Sequence, residues 1–167
     1  SYLILCHPLA PKLFCFKDED RINEIESITN IFTSIIKKFD DVEFESKVSI
    51  INFTDTLLEY NVDMTFNFLM ENLDVFIEQF SYFVFLSDDD ELFNIYIHSL
   101  LTVYEIAQKK EKYNVHIFLD HFCPDQYQQL SDIINSGNLK SDTLMNANQF
   151  YEKITIDINK IAEENSD

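Results

Sequence analysis

Five consecutive apolar residues, Tyr82-Phe83-Val84-Phe85-Leu86, run directly into Ser87-Asp88-Asp89-Asp90, and this stretch constrains the fold more than any other. An aromatic and β-branched run without polar alternation, closed by a polar cluster, predicts a strand buried on both faces, the state of a central strand in a parallel sheet. Helical periodicity flanks it. From Asp63 to Phe80, Met64, Phe68, Leu69, Leu73, Phe76, Ile77 and Phe80 share one stripe, with Asp63 as N-cap. From Asp88 to Lys110, Leu92, Phe93, Tyr96, Leu100, Leu101, Val103, Tyr104 and Ala107 cover more than half of a second helix. Asp88 and Glu91 stand there at capping-box spacing, and Lys109-Lys110 complement the dipole.

The remaining pattern extends this alternation. Tyr2 to Cys6 predicts a second buried strand ended by Pro8 and Pro11, and Asp18 to Phe39 an amphipathic helix. Period-two alternation of Val42, Phe44, Val48 and Ile50 predicts a half-exposed edge strand or two short strands. Val115 to Leu119 predicts a further strand, Asp125 to Ser136 a short helix ended by Gly137, and Thr143 to Met145 one more short strand. Phe150, Ile154, Ile158 and Ile161 predict a last helix. The expected architecture is a single three-layer α/β domain over residues 1–167, with a mainly parallel sheet of four to six strands flanked by helices. Because it begins at Ser1 rather than Met, the chain is also read as a candidate fragment of a longer protein.

Charge narrows the partners. Thirty acidic residues against twelve basic ones, with Arg21 the only arginine, give a formal net charge of −18. Nucleic acid and anionic membrane are disfavoured, because phosphate neutralisation requires clustered Lys and Arg. A well-solvated surface or a basic protein partner fits instead. Cys6, Cys15 and Cys123 are odd in number and irregular in spacing, so no disulfide framework is expected and an intracellular, cytoplasmic setting is. No apolar run approaches the roughly 20 residues of a membrane span, so no membrane insertion is expected.

In a parallel sheet the carboxyl ends of the strands share one edge, where ligands bind. Three polar groups would converge there: Cys6-His7, Asp88 with its neighbours Asp89 and Asp90, and Asp120-His121 with Cys123. Thiolate, imidazole and carboxylate are zinc ligands, and Cys beside His is also the pairing that activates a thiol nucleophile, although no short repeated ligand spacing marks a structural zinc site. The triple Asp reads as a helix N-terminus first and a Mg²⁺ site second. His98 and His116 lie within a predicted helix and strand, where packing or hydrogen bonding is the ordinary role. The only glycine is Gly137, and Pro8 and Pro11 remove amide donors after the first predicted strand, so the backbone cradle of a conventional nucleotide site is missing.

Between Val42 and Gln129 the order of elements resembles a Ras-like G domain of the Rag type, with Met70-Glu71-Asn72 and Asp74-Val75-Phe76 ahead of the Tyr82 run. The family's phosphate loop, Asp-x-x-Gly and Lys-x-Asp are absent. Asp55-Thr56-Leu57-Leu58 and Asp120-His121-Phe122 occupy the comparable regions. The resemblance therefore implies a pseudo-GTPase, with no nucleotide-binding residue carried over. A second likeness is to TIR-type domains, in which Ser87 and Glu105 would take the roles of strand-end serine and helical glutamate. The aromatic-Cys pair of that family is replaced by Val103-Tyr104.

The expected function is a non-catalytic protein-interaction or scaffolding domain without a cofactor, a pseudo-GTPase subunit of a complex in homo- or hetero-oligomeric form. The alternative is a TIR-like NAD-cleaving enzyme or a metal-dependent hydrolase using the Cys/His/Asp cluster. The expected interface is the helix after the central run, where Phe93, Tyr96, Leu100 and Tyr104 form one apolar row beside another. Packing of the Phe150 helix over those rows is the competing expectation.

Overall fold

The computed structural model describes residues 30–164, and every regular element among them is helical. Helical residues 30–36 and a 3₁₀ turn, Phe39–Asp41, lead into α1 (Phe44–Tyr60) and α2 (Val62–Met70). A π-helical turn, Asp74–Gln79, continues without a break into α3 (Phe80–Phe85). Then follow α4 (Asp90–Lys110), α5 (Lys112–Phe122), α6 (Asp125–Asn135) and α7 (Ser141–Glu164).

The predicted parallel sheet is therefore corrected to an all-helical packing among the described residues. The Tyr82 run is helical because its burial follows a period near 3.6: Phe76, Ile77, Phe80 and Val84 are buried, whereas Tyr82 and Leu86 point outward at 69% and 68% exposure. Val115, Phe118, Leu119 and Phe122 are buried at helical spacing in α5, not as a strand. The alternation around Val48 dissolves in α1, whose buried positions are Ile50, Ile51, Phe53, Thr54, Leu57 and Leu58. Thr143 to Met145 lies in the first turns of α7. The Tyr2 strand, and the Asp18 helix up to Thr29, fall outside the described residues.

Without a sheet among the described residues, neither resemblance survives. A G domain and a TIR domain both require a parallel sheet, so the pseudo-GTPase and NAD-cleaving readings are withdrawn. Ser87 and Glu105 agree with this: Ser87 precedes α4, and Glu105 lies roughly 22 Å along its axis from Asp90 at 1.5 Å per residue. Glu105 pairs instead with Lys153 of α7 at 3.1 Å, and Ser87 donates to the Val84 carbonyl at 2.8 Å.

The centre of the packing is α4. Its first turn is capped by Asp89, one residue later than the spacing predicts, with Oδ1 accepting from the Glu91 and Leu92 amides at 3.0 and 3.1 Å. Asp90 and Glu91 near the start and Lys109 and Lys110 near the end both suit the helix dipole. Two long helices run parallel to it on either side. Asp55 and Asp63, on α1 and α2, meet His98 and Lys110 in the same order, while Thr143 and Asp157 of α7 meet Asp90 and Gln108. The π turn and α3 run antiparallel to α4, with Phe85 against Phe93 and Phe76 against Tyr96. Phe118 of α5 closes the other end against Tyr104 and Phe150.

Phe80 and Val84 are fully buried, but Phe85 is only half-buried. Phe80→Ala is expected to cost roughly 3–5 kcal/mol and Phe85→Ala at most about 2 kcal/mol in urea unfolding. Equal costs would contradict the helical register of this run.

Candidate functional site

The predicted strand-end cluster does not assemble. Cys6 and His7 lie outside the described residues. Asp88 is exposed ahead of α4, whereas Asp120, His121 and Cys123 sit at the carboxyl end of α5, and no group of three or more ligand-type side chains among the described residues is placed to hold a metal ion. His121 is used structurally, its Nδ1 2.7 Å from Glu78 of the π turn. The Cys123 thiol is half-buried, and burial together with the Asp120 charge pushes its pKa up. That is the wrong direction for a thiolate nucleophile or ligand. His98 lies in a helix as predicted and holds Asp55 of α1 at 2.8 Å, sharing that carboxylate with Ser99 at 2.7 Å.

The predicted interface row is enclosed by this chain's own helices. Phe93 is 3% exposed, and Tyr96, Leu100 and Tyr104 are 0% exposed. α7 covers part of the row, as the Phe150 packing foretells, and α1, α3 and α5 cover the rest. Both tyrosine hydroxyls find partners. Tyr96 donates to the Phe76 carbonyl at 2.8 Å and sits 2.9 Å from Ser81 Oγ, and Tyr104 donates to Asp157 at 2.8 Å. Burial pushes both phenols far above their usual range, so each serves as a fixed hydrogen-bond donor.

One open groove among the described residues lies at the amino end of α4. A groove of about 460 Å³ forms where the α3–α4 turn, the first turns of α4 and the loop after α6 meet. Phe85, Phe93, Ile133 and Leu139 give it an apolar floor, and the carboxylates of Asp88, Asp89, Asp90 and Asp132 line it. Gly137, at φ 75°, lets the chain leave α6 in the left-handed region and bring Asn138 and Leu139 back into the wall. Asp90 then pins this loop: its carboxylate accepts from the Lys140 amide at 3.0 Å and the Thr143 hydroxyl at 2.9 Å, with Lys140 Nζ at 3.7 Å. The Lys140 amide first, then Thr143 and the ammonium, hold Asp90 below the usual carboxylate range against the opposing effect of burial. Asp88 makes no such bond, and its carboxylate is free among the described residues. Sequence reasoning singled out Asp88 but missed Asp132 and the Gly137 loop as its companions, because that convergence depends on where α6 ends in space.

Beside this groove α3 carries an exposed apolar surface. Tyr82 and Leu86 stand one helical turn apart, Leu86 also lies within a turn of Phe83, and Phe83 meets Phe44 of α1 edge-on with ring centroids 5.2 Å apart. Phe44 itself is 59% exposed. A second groove, of about 330 Å³, opens near the carboxyl end of α7 between Gln108, Lys112, His116, Asp157 and Lys160. Its charged groups largely satisfy one another through Lys112–Glu164 and through Asp157, which accepts from Tyr104, Gln108 and Lys160.

Comparison with family models, with curated proteins and with solved structures finds no match. Among the described residues no helix is long and apolar enough to cross a membrane.

Burial alone would raise the pKa of Asp157, but the hydrogen bonds from Gln108, Tyr104 and Lys160 outweigh it and hold the carboxyl below its usual range. A folded-state pKa depressed in this way contributes stability above the unfolded value of about 3.9 that is lost as pH falls through the lower folded value. Asp157→Asn is expected to be less stable than the native chain at neutral pH, with the gap narrowing below about pH 4. A gap that stays constant across that range in denaturant titrations would contradict the assignment.

Proposed function

We propose that this chain is a non-catalytic protein-interaction domain that docks a basic partner in the cytoplasm. The observation that carries the reading is the group of exposed Phe44, Tyr82 and Leu86 around half-buried Phe83, on α1 and at α3, with the Lys47 ammonium over the Phe83 ring. Isolated exposed apolar residues are ordinary, but a contiguous aromatic and aliphatic set is a feature of binding surfaces. Tyr and Phe anchors supply binding energy at small entropic cost, while a charged rim governs steering and partner choice. The overall charge of −18 selects a basic partner and suits protein rather than phosphate-bearing ligands. The free Cys123 thiol agrees with a reducing compartment.

Affinity capture from the native source, with partners identified by mass spectrometry, tests this directly when run on matched variants. Tyr82→Ser with Leu86→Ser should leave stability within about 0.5 kcal/mol of the native chain, since both side chains are exposed. The same double variant should lose the partner, whereas Tyr113→Ser, at a site equally exposed, should keep it. Retention of the partner by the double variant would overturn the proposed surface. Light scattering on the purified chain shows whether a second copy is that partner.

A further inference from the structure

We propose that the groove at the amino end of α4 is the pocket for an arginine side chain of the basic partner. This rests on the protein-interaction reading and specifies the chemistry of one subsite. Three features of the groove converge on a guanidinium. Its floor is apolar, with the half-buried ring of Phe85 and the side chain of Leu139, which suits the three methylenes and the flat face of arginine. Its lining carries Asp88, ahead of α4, and Asp132 of α6, both exposed, with Asp132 Oδ1 also accepting from Gln128 at 2.9 Å. Asp89 adds charge, although its Oδ1 caps α4. Among the described residues no lysine or arginine lines the groove. The nearest cation in contact with its walls, Lys140, is placed on Asp90 and leaves the other carboxylates without a counter-charge among the described residues.

Competing occupants fit less well. An anion would be drawn by the positive end of the α4 dipole, but Asp89 already accepts from the Glu91 and Leu92 amides and four carboxylates that repel an anion line the groove. A metal ion needs ligands converging within about 2.5 Å of one point, whereas these carboxylates surround an apolar floor and form no cluster placed for a metal. A planar cation with an aliphatic stem satisfies both floor and walls, because arginine stacks on aromatic faces and pairs with carboxylates from its edges.

The test titrates N-acetyl-arginine amide into the complete ¹⁵N-labelled chain, alongside N-acetyl-citrulline amide, its neutral counterpart of nearly the same shape. The expected result is a set of amide shifts confined to Ser87–Asp89 and to residues 132–139, absent with citrulline and suppressed by added salt. Asp88→Asn with Asp132→Asn should weaken arginine binding roughly fivefold. Shifts spread over the whole acidic surface, or equal shifts with citrulline, would overturn the proposal, and this comparison needs no variant to fold. Unchanged affinity in the double Asn variant would overturn it as well. If arginine fails here while the Tyr82/Leu86 variant still loses its partner, the groove assignment falls and the interaction reading stands. The reverse outcome separates the two the other way.

Discussion

Burial of α4 on several faces at once is the constraint from which the other contacts follow. A 21-residue helix that buries Leu92, Phe93, Tyr96, Ile97, Leu100, Val103, Tyr104 and Ala107 cannot be satisfied by one neighbour. α1 and α7 take opposite sides in parallel orientation, and the π turn with α3, together with α5, closes the remainder. The large aromatic content of the chain is used here: Phe76, Phe80 and Phe85 pack against Tyr96, Phe93 packs against Phe85, and Phe118 and Phe150 contact Tyr104 while Phe122 meets Phe150 edge-on. Such rings contribute large buried area and an orientation preference. The two tyrosine hydroxyls fix the azimuth of the helix, Tyr96 against the π-turn carbonyls and Tyr104 against Asp157 of α7.

The helices with polar faces were legible in the amino-acid pattern. The α4 span, the α6 helix with its Gly137 stop and the Phe150 helix all follow from periodicity and end signals, and the structure forms each within a few residues, apart from the Phe150 helix, which starts earlier at Ser141. The misread segments share one property: a short, continuously apolar or aromatic run. Five such residues carry no period, so Tyr82 to Leu86 and Val115 to Leu119 read as strands when taken alone. The deciding residues stood just outside each run. Phe76, Ile77 and Phe80 continue into Val84 at helical spacing, and Phe122 completes the stripe of Val115, Phe118 and Leu119. Phe-rich composition favoured the strand reading through propensity, and tertiary burial overrode it.

The same misreading displaced the candidate site. Strand ends gather side chains on one edge, and helices do not, so Asp88 and the Asp120-His121-Cys123 group separate once the sheet is gone. The predicted interface failed to be a surface for a related reason. An excess of apolar residues on α4 signals burial without revealing whether the cover belongs to the chain itself, and here α1, α3, α5 and α7 supply it. The exposed residues that remain, Phe44, Tyr82 and Leu86, with half-buried Phe83 among them, sit beside carboxylates at the amino end of α4, where apolar anchoring and charge selection are brought close together.

Native-state hydrogen exchange tests the central role of α4 most directly, because amides protected only by global unfolding mark the cooperative core. The account predicts that amides from Tyr96 to Tyr104 are the slowest in the chain and share one opening free energy equal to that of global unfolding. Exchange of these amides as fast as those of α6, whose only buried residue is Leu130, would contradict it.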